Sequence, residues 1–124
     1  METGEIVRHV DHTMLAQTAT WEEIRQLCED GIQYQTASVC IPPSYVRQAA
    51  EYVKDRIVIC TVIGFPNGNM TTGTKEFETR EAIANGASEI DMVINLGWLK
   101  DKRYDLVEEE IRTLKAACGK NVLK

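Results

Sequence analysis

The chain has 124 residues, 44% of them hydrophobic and 27% charged, which is the composition of a folded domain and not of a disordered or fibrous chain. That length suffices for one hydrophobic core, so residues 1–124 are expected to form a single domain. A net charge of -5 argues against nucleic acid or an anionic membrane as partner, no apolar run approaches the ~20 residues of a membrane span, and no signal-peptide pattern opens the chain.

Strand and helix patterns then alternate. Residues 3–8 are predicted to form a short leading helix, followed by a first strand over Val10–Thr13. Thr20-Trp21-Glu22-Glu23 is a capping box, with Thr20 as N-cap and Glu23 three places on. It opens a helix with Ile24, Leu27 and Cys28 on one stripe and an end near Gly31. A second strand is expected over Thr36–Ile41, stopped by Pro42-Pro43-Ser44, and the helix after it carries Val46, Ala49, Ala50 and Val53. The third strand, Ile57–Ile63, is apolar on both faces, as a buried parallel strand should be. A glycine-rich loop, Gly64–Gly73, follows, and long loops at strand ends usually serve a purpose. The third main helix is predicted over Thr74–Asn85, closed by Gly86. Another is predicted over Tyr104–Cys118, closed by Gly119, and Asn121–Lys124 opens a fifth strand. Trp21 is expected over its capping box and Trp98 over the entry to the last helix. The run Glu108-Glu109-Glu110 is expected to be a solvated helix face.

The fourth strand, within Gly86–Leu99, carries the least ordinary pattern. Ile90, Met92 and Ile94 share one parity, and Glu89, Asp91, Val93 and Asn95 share the other. A strand covered on both faces should be apolar on both, and an unpaired buried carboxylate costs several kcal/mol or takes up a proton. Asp91 therefore either pairs with a cation or is tuned for proton transfer. On the first, second and fourth strands, polar groups gather on one parity near the C-terminal end: Asp11 with Thr13, Ser38 with Cys40, Asp91 with Asn95. A doubly wound sheet would show the same alternation of elements. The shared polar parity favours half of a (β/α)8 barrel, with four β/α units, the start of a fifth strand, and its chemistry at the C-terminal mouth.

Cys28, Cys40, Cys60 and Cys118 form no CxxC pair and lie in apolar surroundings, which fits reduced thiols in a cytoplasmic protein. His9 and His12 bracket Asp11, but without a third ligand they are a weak metal signal, and on a strand they would face opposite ways.

Four segments together resemble the deoxyribose-phosphate aldolase family. They are Val10–Leu15, Ala37–Pro42, Thr61–Gly68 with Lys75, and Gly86–Asn95, and the resemblance runs from about Ile6 to Lys124. It implies a class I aldolase on a (β/α)8 barrel that needs no metal or other cofactor. Such an enzyme cleaves 2-deoxy-D-ribose 5-phosphate to glyceraldehyde 3-phosphate and acetaldehyde through a lysine Schiff base. Carried over, the proton-transfer acid falls on Asp91 and the strand-five lysine on Lys124, while Asp11 and Cys40 line the same mouth. The family's Schiff-base lysine lies on strand six and its second lysine on strand seven, beyond Lys124, and its phosphate site is built from later glycine-rich loops. Lys75, at a helix start, is expected to be solvated and no substitute. The expectation is therefore a half-barrel, natural or engineered, that is inactive alone. The apolar face left by the missing half, including Val58 or Ile59 and Val93, and two open edges favour a homodimer or higher assembly. Two alternatives are a self-associating structural module without activity and a small binding protein that uses the mouth as its pocket.

Overall fold

The alternating patterns become five strands and six α-helices in a computed structural model that describes all of residues 1–124. In chain order they are α1 (Thr3–Val7), β1 (Asp11–Thr13), α2 (Trp21–Tyr34), β2 (Ser38–Ile41), α3 (Val46–Val53), β3 (Ile59–Ile63), α4 (Thr72–Ala84), β4 (Glu89–Met92), α5 (Leu96–Lys100), α6 (Tyr104–Cys118) and β5 (Val122–Leu123). A single 3-10 turn, Pro43–Tyr45, leads into α3. The capping box forms as expected: the Glu23 amide donates to Thr20 Oγ1 at 3.3 Å, and the Thr20 amide donates to Glu23 Oε2 at 3.1 Å.

The ends of α2 and β4 differ from expectation for identifiable reasons. Helix α2 passes Gly31 and ends at Gln35, which adopts the left-handed conformation at φ 56°. Gly31 is a packing residue and not a stop, since a Cβ there would meet Val39 Cγ1 at 2.7 Å and Ile57 Cδ1 at 2.8 Å. Strand β4 ends at Met92, and Asn95 caps the short helix α5, its Oδ1 accepting from the Trp98 amide at 3.1 Å. That cap competes with continued strand pairing, and it takes Asn95 out of the strand parity.

All strands are parallel, in the order β1-β2-β3-β4-β5. Crossovers of one hand between successive neighbours put every helix on the same face of the sheet. A doubly wound sheet reverses its strand order to cover both faces, and this one does not. The helix-side core contains Ile24, Leu27, Val39, Ile41, Ile59, Ile63, Ile90 and Leu114. Of Val58 and Ile59, the two alternatives for the uncovered face, Ile59 belongs to this core and is 3% exposed, which leaves Val58 on the parity of Cys60 and Val62. The opposite parity carries a small cluster of Cys40, Cys60 and Val62, with Leu15 against it. Trp21 packs on Tyr45 and Tyr52, at ring-centroid distances of 6.5 and 5.7 Å.

The sheet is strongly curved about its helix-free face. Laid flat, five strands would hold β1 and β5 about 19 Å apart. Here the side chain of Lys124, just after β5, reaches Asp11 on β1 with Nζ 2.7 Å from Oδ2. Sequential order, one-sided helices and this curvature are the geometry of half a (β/α)8 barrel.

Candidate active site

Strand alternation sorts side chains between the two faces. The parity that puts Val39, Ile59 and Ile90 into the helix-side core leaves Ser38, Cys40, Cys60, Val62, Glu89 and Asp91 for the concave face. Register then aligns them. Cys40 stands opposite Cys60, Cys60 opposite Glu89, and Val62 opposite Asp91. The Lys124 amide donates to Ile90 O and the Met92 amide to Lys124 O, which sets Lys124 beside Asp91.

Two groupings result. In the first, Lys124 Nζ donates to Asp11 Oδ2 at 2.7 Å and Glu89 Oε1 at 3.0 Å, and Ser38 Oγ donates to Asp11 Oδ1 at 2.6 Å. Burial opposes charge on Asp11, but the hydrogen bonds from Lys124 and Ser38 outweigh it and hold the carboxyl below its ordinary range. Burial likewise opposes the Lys124 ammonium, and the two carboxylates outweigh it, so its pKa is raised.

In the second grouping, the Asp91 carboxylate and the thiols of Cys40 and Cys60 have their polar atoms within 4.8 Å of one another. The two cysteines are 2% and 0% exposed, and Asp91 is half-buried. A hydrogen bond from Cys60 lowers the Cys40 thiol pKa, and the same bond together with burial raises that of Cys60. The four residues expected at the site are thus all on the concave face, with Lys124 joined to Asp11 and Asp91 joined to Cys40. Ser38, Glu89 and Cys60 complete the groupings. Parity with Asp91 signals Glu89, but Cys60 becomes visible only once the β2–β3 register is known.

Lys75 overturns the expectation that it is solvated. It is 0% exposed, and its Nζ donates to Glu110 Oε1 at 2.5 Å, Gly68 O at 2.6 Å and Val93 O at 2.9 Å. Glu110 leaves the solvated run for the same reason: it is 2% exposed, and its Oε2 accepts from Thr72 Oγ1 at 2.6 Å. Glu108 and Glu109 remain exposed. Lys75 points away from the concave groupings and ties the Gly64–Gly73 loop to the segment after β4. At the mouth, Leu15, Pro42, Tyr45, Phe65 and Pro66 line an open cleft of about 630 Å³. A second cleft, bounded by Thr36, Ala37, Val58 and Ser88, lies at the N-terminal ends of the strands, away from both groupings. His12 is 3.8 Å from Asp30 on α2, and His9 lies outside β1. No helix is long and apolar enough to cross a membrane.

The same geometry recurs among known proteins. A family model described as DeoC/LacD family aldolase matches residues 6–124. The deoxyribose-phosphate aldolase of Streptococcus agalactiae is 59% identical over all 124 residues, and that of Streptococcus pyogenes is 58–59% identical depending on the strain. The chain spans 56% of the length of these curated relatives. A crystal structure assigned as deoxyribose-phosphate aldolase, from Coccidioides immitis, superposes with TM-score 0.95 at 39% identity, covering 99% of this chain and 49% of that one. The aldolase from Aeropyrum pernix, described as tetrameric, gives TM-score 0.83 at 25% identity, covering 97% of this chain and 51% of that one. A motif-bearing concave face, a half-barrel topology and a match over residues 6–124 agree: the chain belongs to the DeoC/LacD aldolase family.

Proposed function

We propose that this chain supplies the proton-handling half of a deoxyribose-phosphate aldolase barrel and does not perform retro-aldol cleavage alone. The observation that carries the proposal is the concave face, where Asp91 and Lys124 stand side by side among Asp11, Glu89 and Cys40. In the reaction, a lysine amine condenses with the substrate aldehyde, and the iminium accepts the electrons of the breaking C–C bond. Protons must then reach and leave the hydroxyl and the enamine carbon, a task for a carboxyl at the mouth such as Asp91. Lys124, held charged by two carboxylates, is suited to electrostatic work and not to nucleophilic attack, which needs a free amine. Lys75 is fully buried in an ion pair with Glu110 and bonded to two carbonyls, and Lys124 is paired with Asp11 and Glu89, so neither lysine is placed to form the Schiff base.

Incubating the chain with deoxyribose 5-phosphate and borohydride should leave its mass unchanged. A reduced adduct on Lys75 or Lys124 would overturn the proposal.

A second reading, self-association, draws support from the two open sheet edges, β1 and β5. Unpaired edges invite pairing with another copy, and closure into a barrel removes them.

A further inference from the structure

We propose that Lys75 is a positioning residue for the proton-transfer face, an inference that rests on the reading of Asp91 as the carboxyl that handles protons. All three protons of its ammonium are used, each on a different segment. Nζ donates to Gly68 O at 2.6 Å in the loop after β3, to Val93 O at 2.9 Å just after β4, and to Glu110 Oε1 at 2.5 Å on α6. Helix α4 carries Lys75 itself, and Thr72 in its first turn donates to the other Glu110 oxygen at 2.6 Å. One nitrogen thus joins the loop, the end of β4 and two helices. The loop also lies against the lysine stem: a Cβ at Gly64 would meet Lys75 Cε at 2.8 Å.

The place of Asp91 makes that junction matter for chemistry. Asp91 is the penultimate residue of β4, which ends at Met92. The ends of elements open locally at far less cost than the core. Val93, two residues past Asp91, is instead held from both sides: its amide donates to Ile63 O at 3.0 Å, and its carbonyl accepts from Lys75. The clamp stops fraying before it reaches Asp91. The other carbonyl, Gly68 O, belongs to the loop that carries Phe65 and Pro66, which line the cleft at the mouth. A displacement of about 1 Å in a reacting group can cost roughly 10²-fold in rate. Stability alone does not account for the pair. Apolar side chains of similar volume often replace a buried ion pair without loss, but they cannot orient two carbonyls.

The test compares the double variant Lys75→Met with Glu110→Leu, which removes both charges together, with Ile24→Val, which loosens the helix-side core elsewhere. In the 124-residue chain, the amides of Gly68 and Val93 should exchange with deuterium about tenfold faster in the double variant while that of Cys40 keeps its rate. Ile24→Val should leave Gly68 and Val93 unchanged under folding conditions. With the chain joined to the remaining part of the Streptococcus agalactiae enzyme, the double variant should lose about tenfold in kcat with a smaller rise in KM, and Ile24→Val should change neither. Unchanged exchange at both amides, or faster exchange with the parental kcat, would overturn the proposal. If the double variant fails to fold by circular dichroism, Thr72→Val decides, since Thr72 is half-buried and its hydroxyl holds Glu110: unchanged exchange at Gly68 and Val93 rejects the clamp. An Asp91→Asn hybrid with the parental rate sinks the aldolase reading and this inference with it, whereas failure of the clamp alone leaves Asp91→Asn slow.

Discussion

Lys75 and Glu110 form the only ion pair whose side chains are both essentially inaccessible, at 0% and 1% exposure. Desolvating two charges is expensive, and the pair is tolerated because every strong bond is met: two carbonyls and a carboxylate for Lys75, an ammonium and a hydroxyl for Glu110. Lys75→Met strands a buried carboxylate and two carbonyls, and should cost about 3–5 kcal/mol in urea unfolding. Lys75→Met with Glu110→Leu should recover part of that loss, and an equal or larger loss in the double variant would show that the charge is not the cause. At the half-exposed end of the molecule, Lys124 and Asp11 set a pH dependence. Asp11 has a lowered carboxyl pKa, so its contribution is complete above the ordinary value of 3.8 and is lost as pH falls through the folded value. Lys124 has a raised pKa, so its contribution is complete below 10.5 and fades only at higher pH. Lys124→Met should therefore lower the midpoint of thermal unfolding modestly at pH 7 and narrow the difference from wild type as pH drops below 3.8, because the partner carboxylate is then protonated. A difference independent of pH from 7 to 2 would contradict the assignment.

At the scale of elements, the Gly64–Gly73 loop shows what local sequence reveals and what it omits. Its glycines mark it as irregular, and its position after β3 marks it as part of the mouth. What fixes its path is non-local: the Gly64 amide donates to Glu78 Oε1 at 2.7 Å, and Lys75 holds Gly68 O. Gly68, at φ +69°, packs so closely that a Cβ would lie 2.2 Å from Ile94 O. Gly68→Ala should thus destabilise the chain by more than the ~1 kcal/mol of an ordinary Gly→Ala change at positive φ, read as a lower urea midpoint; an unchanged midpoint would mean that the loop has slack. The strands and main helices were legible because parity and capping act within a few residues, as with Thr20 and Glu23 in α2 and the alternation of β4. Helix α5 was not, because it is five residues long and depends on the Asn95 cap. The Lys75 position was misjudged for the same kind of reason: at a helix start a lysine is usually solvated, and only the approach of α6 brings Glu110 to it. Strand parity in the sequence put Asp91 on the face shared with Glu89, and the family resemblance pointed to Lys124; the approach of the Cys60 thiol needed the register.

At the scale of the whole molecule, the helix-free face is mixed and not the apolar surface first expected. It holds Asp11, Glu89, Asp91 and Lys124 beside Cys40, Cys60 and Val62, while Ile59 belongs to the other side. The drive to self-associate then rests on the open edges of β1 and β5. Light scattering should give a mass above the 14.0 kDa of one chain at micromolar concentration, and a sharp monomer mass with concentration-independent unfolding would exclude it. The relatives' greater length points to the most direct test of the central claim, that this half carries the proton-handling groups of an aldolase barrel. The chain should be joined to the remaining part of the Streptococcus agalactiae enzyme, which is 59% identical across the shared half, and turnover of deoxyribose 5-phosphate measured for the hybrid and its Asp91→Asn variant. The account predicts an active hybrid whose kcat falls by roughly 10²–10⁴ on Asp91→Asn, the usual contribution of a general acid or base. A folded hybrid without activity, or one whose rate is unchanged by Asp91→Asn, would contradict it.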